Sequence, residues 1–145
     1  MSMTTTEFSF RLFAAFGSGL LIGLEREWHH KSAGLRTNIL VAIGSALFVL
    51  LSINLTEAGG DVTRIIGQVV TGIGFLGAGI IFKEGMNVHG LTTATTVWCA
   101  SALGCTAAAG FYFESLIGTI VVMTVNSLSI PMDRWMLRRK KAADK

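Results

Sequence analysis

Arg64-Ile65-Ile66-Gly67-Gln68-Val69-Val70-Thr71-Gly72-Ile73-Gly74-Phe75-Leu76-Gly77-Ala78-Gly79-Ile80-Ile81-Phe82 admits two readings. Gly72, Gly74 and Gly77 have the G-x-G-x-x-G spacing of a dinucleotide-binding turn. Such a turn follows a strand, leaves a polar loop facing the phosphates and has an acidic residue about 20 positions on. Here Ile, Phe and Leu fill the gaps, and the corresponding downstream region is Thr92-Thr93-Ala94-Thr95-Thr96. The stretch therefore reads as a membrane-spanning helix. On a helical wheel Arg64, Gly67, Gln68, Thr71, Gly72, Gly74, Phe75, Ala78 and Gly79 share one side. Ile65, Ile66, Val69, Val70, Ile73, Leu76, Ile80 and Ile81 take the other, with Gly77 among them. The sorting predicts a small-residue seam of Gly67, Thr71, Gly74 and Ala78 against neighbouring helices, and an aliphatic face toward lipid.

Composition agrees with a membrane setting. Of 145 residues, 51% are hydrophobic and only 14% charged, with 17 glycines against one proline. That balance fits a small polytopic membrane protein better than a soluble domain. The net charge of +3 is concentrated after the first span and at the C-terminus, so it reads as a topology signal and not as a nucleic-acid footprint. Cys99 and Cys105 fit neither a disulfide pair nor a C-x-x-C motif, and read as small buried hydrophobes.

Along the chain, residues 8–24 form the first expected span. Arg11 near its start snorkels to the interface, and Gly17, Gly19 and Gly23 permit close packing. Residues 25–37 form a charged connection with Trp28 as an aromatic anchor. Glu25, Glu27, His29 and His30 lie close enough in sequence for a metal site to be weighed, but no HExxH-type spacing is present and no metal or cofactor is expected. The second span is 38–55, the third 64–82. The fourth, 91–109, is rich in Thr, Ala, Ser and Cys, which places it inside a bundle; the competing role is the lining of a narrow polar path. Trp98 is expected to fill the gap opposite a glycine-rich neighbour. The fifth span, 115–130, is ended by Pro131. The division is a membrane domain, 1–132, and a basic cytoplasmic tail, 133–145.

The fold class is thus all-α, a polytopic bundle of five spans with the N-terminus out and the C-terminus in. On that topology Arg26, Lys31, Arg36, Lys83 and the tail cations Arg134, Arg138, Arg139, Lys140, Lys141 and Lys145 are cytoplasmic. Arg64 alone is outside, with Arg11 within a span, the asymmetry that the positive-inside rule expects. No nucleophile–base pair, catalytic carboxylate pair or P-loop can be assembled, and the apolar spans contain no acid. An enzyme is not expected, and the missing intramembrane acid counts against an ordinary secondary transporter.

Four blocks carry a family resemblance: Gly23-Leu24-Glu25-Arg26-Glu27, Ala33-Gly34-Leu35-Arg36-Thr37, Gln68 through Gly79, and Gly90-Leu91-Thr92-Thr93-Ala94-Thr95-Thr96-Val97-Trp98-Cys99. In this order they resemble the successive signatures of the MgtC/SapB family of bacterial inner-membrane proteins, over nearly the whole chain. Gly85-Met86-Asn87 matches the tripeptide of CorA-type magnesium channels, but related MgtC/SapB sequences carry it at this loop too. The resemblance implies a five-span inner-membrane domain linked to low magnesium, acid stress and, in pathogens, survival inside macrophages. Longer members add a soluble C-terminal domain resembling ACT modules, so the chain reads as a short form, and Thr92 stands where some virulence-associated members have Asn.

The expected role is regulatory or accessory, through helix contacts with a membrane ATPase of F-type or P-type or with a transporter. Self-association is also expected; the alternative is a magnesium or other cation permease. The residues singled out for function are Glu25, Arg26, Arg36, Arg64, Gln68, Thr92 and Cys99. Gly67, Thr71, Gly72, Gly74, Gly77, Ala78, Gly79 and Trp98 are assigned to helix packing.

Overall fold

The computed structural model describes residues 3–55 and 61–143, with side chains to residue 128. The connection between the second and third expected spans lies largely outside the described residues, as do the side chains of the basic tail. Five helices and one short hairpin are described: α1 Thr5–Trp28, α2 Leu35–Leu55, α3 Val62–Ile80, β1 Phe82–Glu84, β2 Asn87–His89, α4 Leu91–Ala108 and α5 Tyr112–Ala143. By length and hydropathy α1, α2 and α3 can each cross a membrane, and Tyr112–Leu128 of α5 is a further apolar segment. Large apolar side chains such as Phe13, Leu40, Phe48, Phe75 and Ile117 are more than half exposed. An apolar surface of that extent suits lipid and not water.

α1, α2 and α4 pack against one another as the centre, α5 lies against α1 and α4, and α3 leans on α4 and more lightly on α2. Close approach at the centre rests on missing side chains. A Cβ on Gly19 would stand 2.9 Å from Cα of Ile39, and one on Gly23 2.8 Å from Cα of Leu35, so α1 and α2 meet backbone to backbone. Gly17 has no such neighbour within 4 Å. On α4, Gly104 abuts the carbonyl of Ala42, whose carbon would be 2.9 Å from an added Cβ. Hydroxyl pairs add to the packing: Ser45 of α2 to Ser101 of α4 at 2.7 Å, and Ser18 of α1 to Ser115 of α5 at 3.0 Å. The small-residue helix α4 is interior as its composition predicts, with Val97, Ala100, Ala107 and Ala108 buried. Cys105 belongs to this apolar core, whereas Cys99 is half-buried.

The third helix reverses one expectation. Its two faces are sorted as the wheel predicts, but it is the aliphatic face that turns inward. Ile66 and Val69 pack on the core cluster and Ile73 is buried, while Gly67, Thr71, Gly72, Gly74, Ala78 and Gly79 are exposed. A Cβ on Gly67, Gly72, Gly74 or Gly79 would meet nothing within 4 Å. The physical reason is α4: a helix already stripped to small side chains offers hollows that branched aliphatics fill, so large packs into small. Periodicity separates two faces of a helix but does not say which one a bundle takes. Gly77, the residue out of place on the wheel, is thereby explained, since its Cβ position lies 3.8 Å from Cβ of Ala94. Gly77→Ala should be neutral, and Gly77→Leu should cost about 1–3 kcal/mol by overpacking the α3–α4 seam, read as a lowered melting temperature of the detergent-purified chain. Trp98 also departs from expectation: it is half-exposed and borders a crevice between α3 and α4 without filling it.

Three boundaries differ. α1 runs through the charged residues to Trp28, because Glu and Arg are good helix formers. α5 continues through Pro131; bundle and lipid contexts tolerate a proline that would stop a soluble helix. The loop after α3 is an antiparallel hairpin pairing Phe82 with His89 and Glu84 with Asn87. It returns to α4 at Gly90, whose φ of +87° and close approach to the Ile80 carbonyl exclude a side chain.

The start of α3 is capped by Asp61, whose Oδ1 accepts from the Thr63 hydroxyl at 2.5 Å and the Thr63 amide at 2.9 Å. The hydroxyl bond first, then the amide, hold the Asp61 carboxyl below the usual carboxylate range. A depressed folded value means that the cap stabilises α3 at neutral pH and is lost as pH falls below about 3.9 through the lower folded midpoint. The Asp61 carboxyl resonance should titrate below that reference, and Thr63→Val, which removes the hydroxyl bond, should raise its midpoint toward it.

Candidate functional site

At the end of the bundle where α1 stops and α2 and α4 begin, a charged pair is buried. Glu25 is 7% exposed and Arg26 2%, an unusual state for either residue unless it is partnered. The chain after α1 is wound tightly under them. The amide of His29 donates to the Glu25 carbonyl at 3.2 Å and that of Lys31 to the Arg26 carbonyl at 3.0 Å. His30 and Ala33 take left-handed conformations with φ of 50° and 56°. Asn38, fully buried, donates its amide to the carbonyls of Ala33 at 2.6 Å and Gly34 at 2.9 Å and so holds the turn. Glu27 points the other way and caps α2, accepting from the Leu35 amide at 3.2 Å.

The pair reaches two further helices. The Arg26 guanidinium donates to the Thr93 hydroxyl on α4 at 2.8 Å. The Glu25 carboxyl accepts at Oε2 from the Asn126 amide on α5 at 3.2 Å, and Asn126 Oδ1 accepts from Thr96 of α4 at 3.3 Å. His29 Nδ1 lies 2.9 Å from the Glu25 carbonyl and 3.0 Å from its Oε1, the latter an ion-pair distance without hydrogen-bond alignment. The result is a polar knot joining α1, α4 and α5 that fixes their register. Such intramembrane polar contacts are individually modest, about 0.6–2 kcal/mol, so the burial of the charges is the larger energetic fact. Among the described residues, no group of three His, Cys, Asp or Glu side chains is placed to hold a metal ion.

Of the residues singled out from sequence, Glu25 and Arg26 share this knot and the others are dispersed. Arg36 is exposed beside Glu27 and Thr37 at the rim of a shallow depression. Thr92 is exposed in the first turn of α4, its carbonyl accepting from Thr95 at 2.9 Å and Thr96 at 2.8 Å. Arg64 and Gln68 sit at the opposite end, exposed on α3, and Cys99 is half-buried midway along α4. Sequence reasoning missed Thr93, Thr96 and Asn126. Asn126 carried a usable signal, a lone amide within an apolar span.

Arg11 anchors the far end of the bundle. It donates to the Ala108 carbonyl at the C-terminus of α4 at 2.8 Å and pairs with Glu7, supplying a cation where the helix dipole is negative.

Comparison with known proteins gives a consistent result. The profile of the MgtC family matches residues 12–135. Protein MgtC of Brucella abortus (strain 2308) is 50% identical over 121 residues, 83% of this chain and 50% of that protein. Protein MgtC of Salmonella typhimurium (strain LT2) is 49% identical over 117 residues, 81% of this chain and 50% of that protein. An uncharacterised Synechocystis protein is 45% identical over 134 residues, 92% of this chain and 57% of its own length. The chain thus spans about half the length of the curated relatives it matches. No solved structure matches.

Proposed function

Since this chain belongs to the MgtC family, we propose that it is a multi-pass bacterial inner-membrane protein of magnesium and stress homeostasis, acting through helix contacts on a larger membrane protein and catalysing no reaction itself. The partner class is a membrane ATPase, of F-type or P-type, or a transporter. Five spans with the N-terminus outside and the C-terminus inside form part of the proposal, and the excess of Lys and Arg on one side supports it.

The observation that carries the reading is the outward face of α3. Gly67, Thr71, Gly74 and Ala78 repeat at three- and four-residue spacing and turn away from the chain's own bundle. In lipid a helix gains nothing by exposing glycine, whereas small residues let a second helix approach closely. The permease alternative would route a cation along α3 and α4. The crevice between them is lined by apolar side chains such as Ile66, Ile73 and Phe111 together with Ser101 and Thr106, whose hydroxyls are engaged by Ser45 and by the Ala102 carbonyl, a poor surface for a hydrated or coordinated cation, so the helix-contact reading is favoured.

Purified protein in vesicles separates the two. The regulator reading expects no magnesium flux from the chain alone, together with co-purification of an ATPase or transporter from magnesium-starved membranes. Flux from the chain alone would overturn it.

A further inference from the structure

A second feature of α3 lies beside the outward face and is independent of the role proposed above. Between α2 and α3 a groove opens toward lipid, with about 630 Å³ of free volume. Val41, Ser45 and Phe48 form one wall and Gln68, Gly72 and Leu76 the other. Its width comes from Gly44 and Gly72, which line it and where an added Cβ would meet nothing within 4 Å. The Ser45 hydroxyl is committed to Ser101 at 2.7 Å, so the polar group left at the wall is the Gln68 amide.

The length of the groove matches one leaflet. From Ile65 to Leu76 the groove extends about 16 Å at the helical rise of about 1.5 Å per residue, close to half of a hydrocarbon core about 30 Å thick. It is therefore one leaflet deep. A single hydrocarbon chain laid along the groove reaches from the interfacial end to the bilayer midplane. Charge agrees. One turn beyond Gln68, at the interfacial end, stands exposed Arg64, a cation that also acts on the Asp61 carboxyl at the cap of α3. Guanidinium matches a phosphodiester in geometry and charge.

We propose that this groove is a phospholipid site, with one acyl chain between α2 and α3, the ester region at Gln68 and the phosphate on Arg64. The lipid belongs to the leaflet on the Arg64 side.

Native mass spectrometry of the full chain in detergent, with added palmitoyl-oleoyl phosphatidylglycerol, tests the site. The wild type should retain one phospholipid per chain. Arg64→Gln and Gly72→Leu should each lower the retained fraction at a given lipid concentration, with an apparent affinity loss of about tenfold. Gly44→Leu closes the groove from the α2 wall and repeats the test should Gly72→Leu not fold. Gly74→Leu, outside the groove, should retain lipid as the wild type does. Equal retention by all variants would overturn the site, as would groove substitutions that abolish a dimer and leave lipid retention unchanged.

Discussion

Gly104→Val should strongly destabilise the folded state, lowering stability by about 3 kcal/mol or more and reducing the monodisperse protein recovered after detergent extraction. The cost follows from where the new atoms must go. Even the first carbon of the side chain would press on the Ala42 carbonyl of α2, and a backbone carbonyl in a packed helix cannot rotate aside as a side chain can. α2 and α4 would have to separate, and with them the Ser45–Ser101 bond and the buried contacts of Ala46, Val49 and Cys105. Against a total stability of about 5–15 kcal/mol, such a change removes a large fraction. Gly74→Leu, larger still and also in an apolar helix, should leave extraction yield and melting temperature unchanged, because a Cβ there meets no described atom within 4 Å.

Arg26→Met is the second change with a large expected effect, a loss of about 3–5 kcal/mol. It preserves most of the side-chain volume but removes the cation beside the buried Glu25 carboxyl and the donor to Thr93. A charge left uncompensated in a low-dielectric site is the costly outcome, more so than the lost hydrogen bond. The paired substitution Glu25→Gln/Arg26→Met removes both charges, and Gln can still accept from Asn126. It should therefore be more stable than Arg26→Met alone, with most of the loss recovered, as read by thermal unfolding in detergent. If the double variant is instead the less stable, the pair contributes favourably beyond mutual neutralisation, and the knot is a net source of stability.

These two sites differ in how far they could be read before the structure. The interior position of α4 followed from its Thr, Ala and Ser content, and the close approach of α1 to α2 from Gly19 and Gly23. That Gly104 in particular touches Ala42 depends on the crossing of two helices, which no local pattern encodes. The polar knot was half legible. Glu25 and Arg26 stood out, but they were placed in a connection because charge density usually marks a membrane boundary. Their burial depends on Thr93, Thr96 and Asn126, which lie 67 and more residues away in sequence. The orientation of α3 illustrates a different limit. Hydropathy distinguishes a small face from a branched one, but both are apolar, so neither lipid nor protein claims either by polarity. The small surface of α4 decided the matter.

Photo-crosslinking in membranes of magnesium-starved cells reads what sits on the turned-out face of α3. With a photoreactive residue at Thr71 or Ala78, a covalent adduct to a larger membrane protein is expected. The same probe at Phe13, an exposed apolar position on α1, should give none. Adducts from Phe13 equal to those from Thr71 and Ala78, or no protein adduct from α3 at all, would contradict the helix-contact reading.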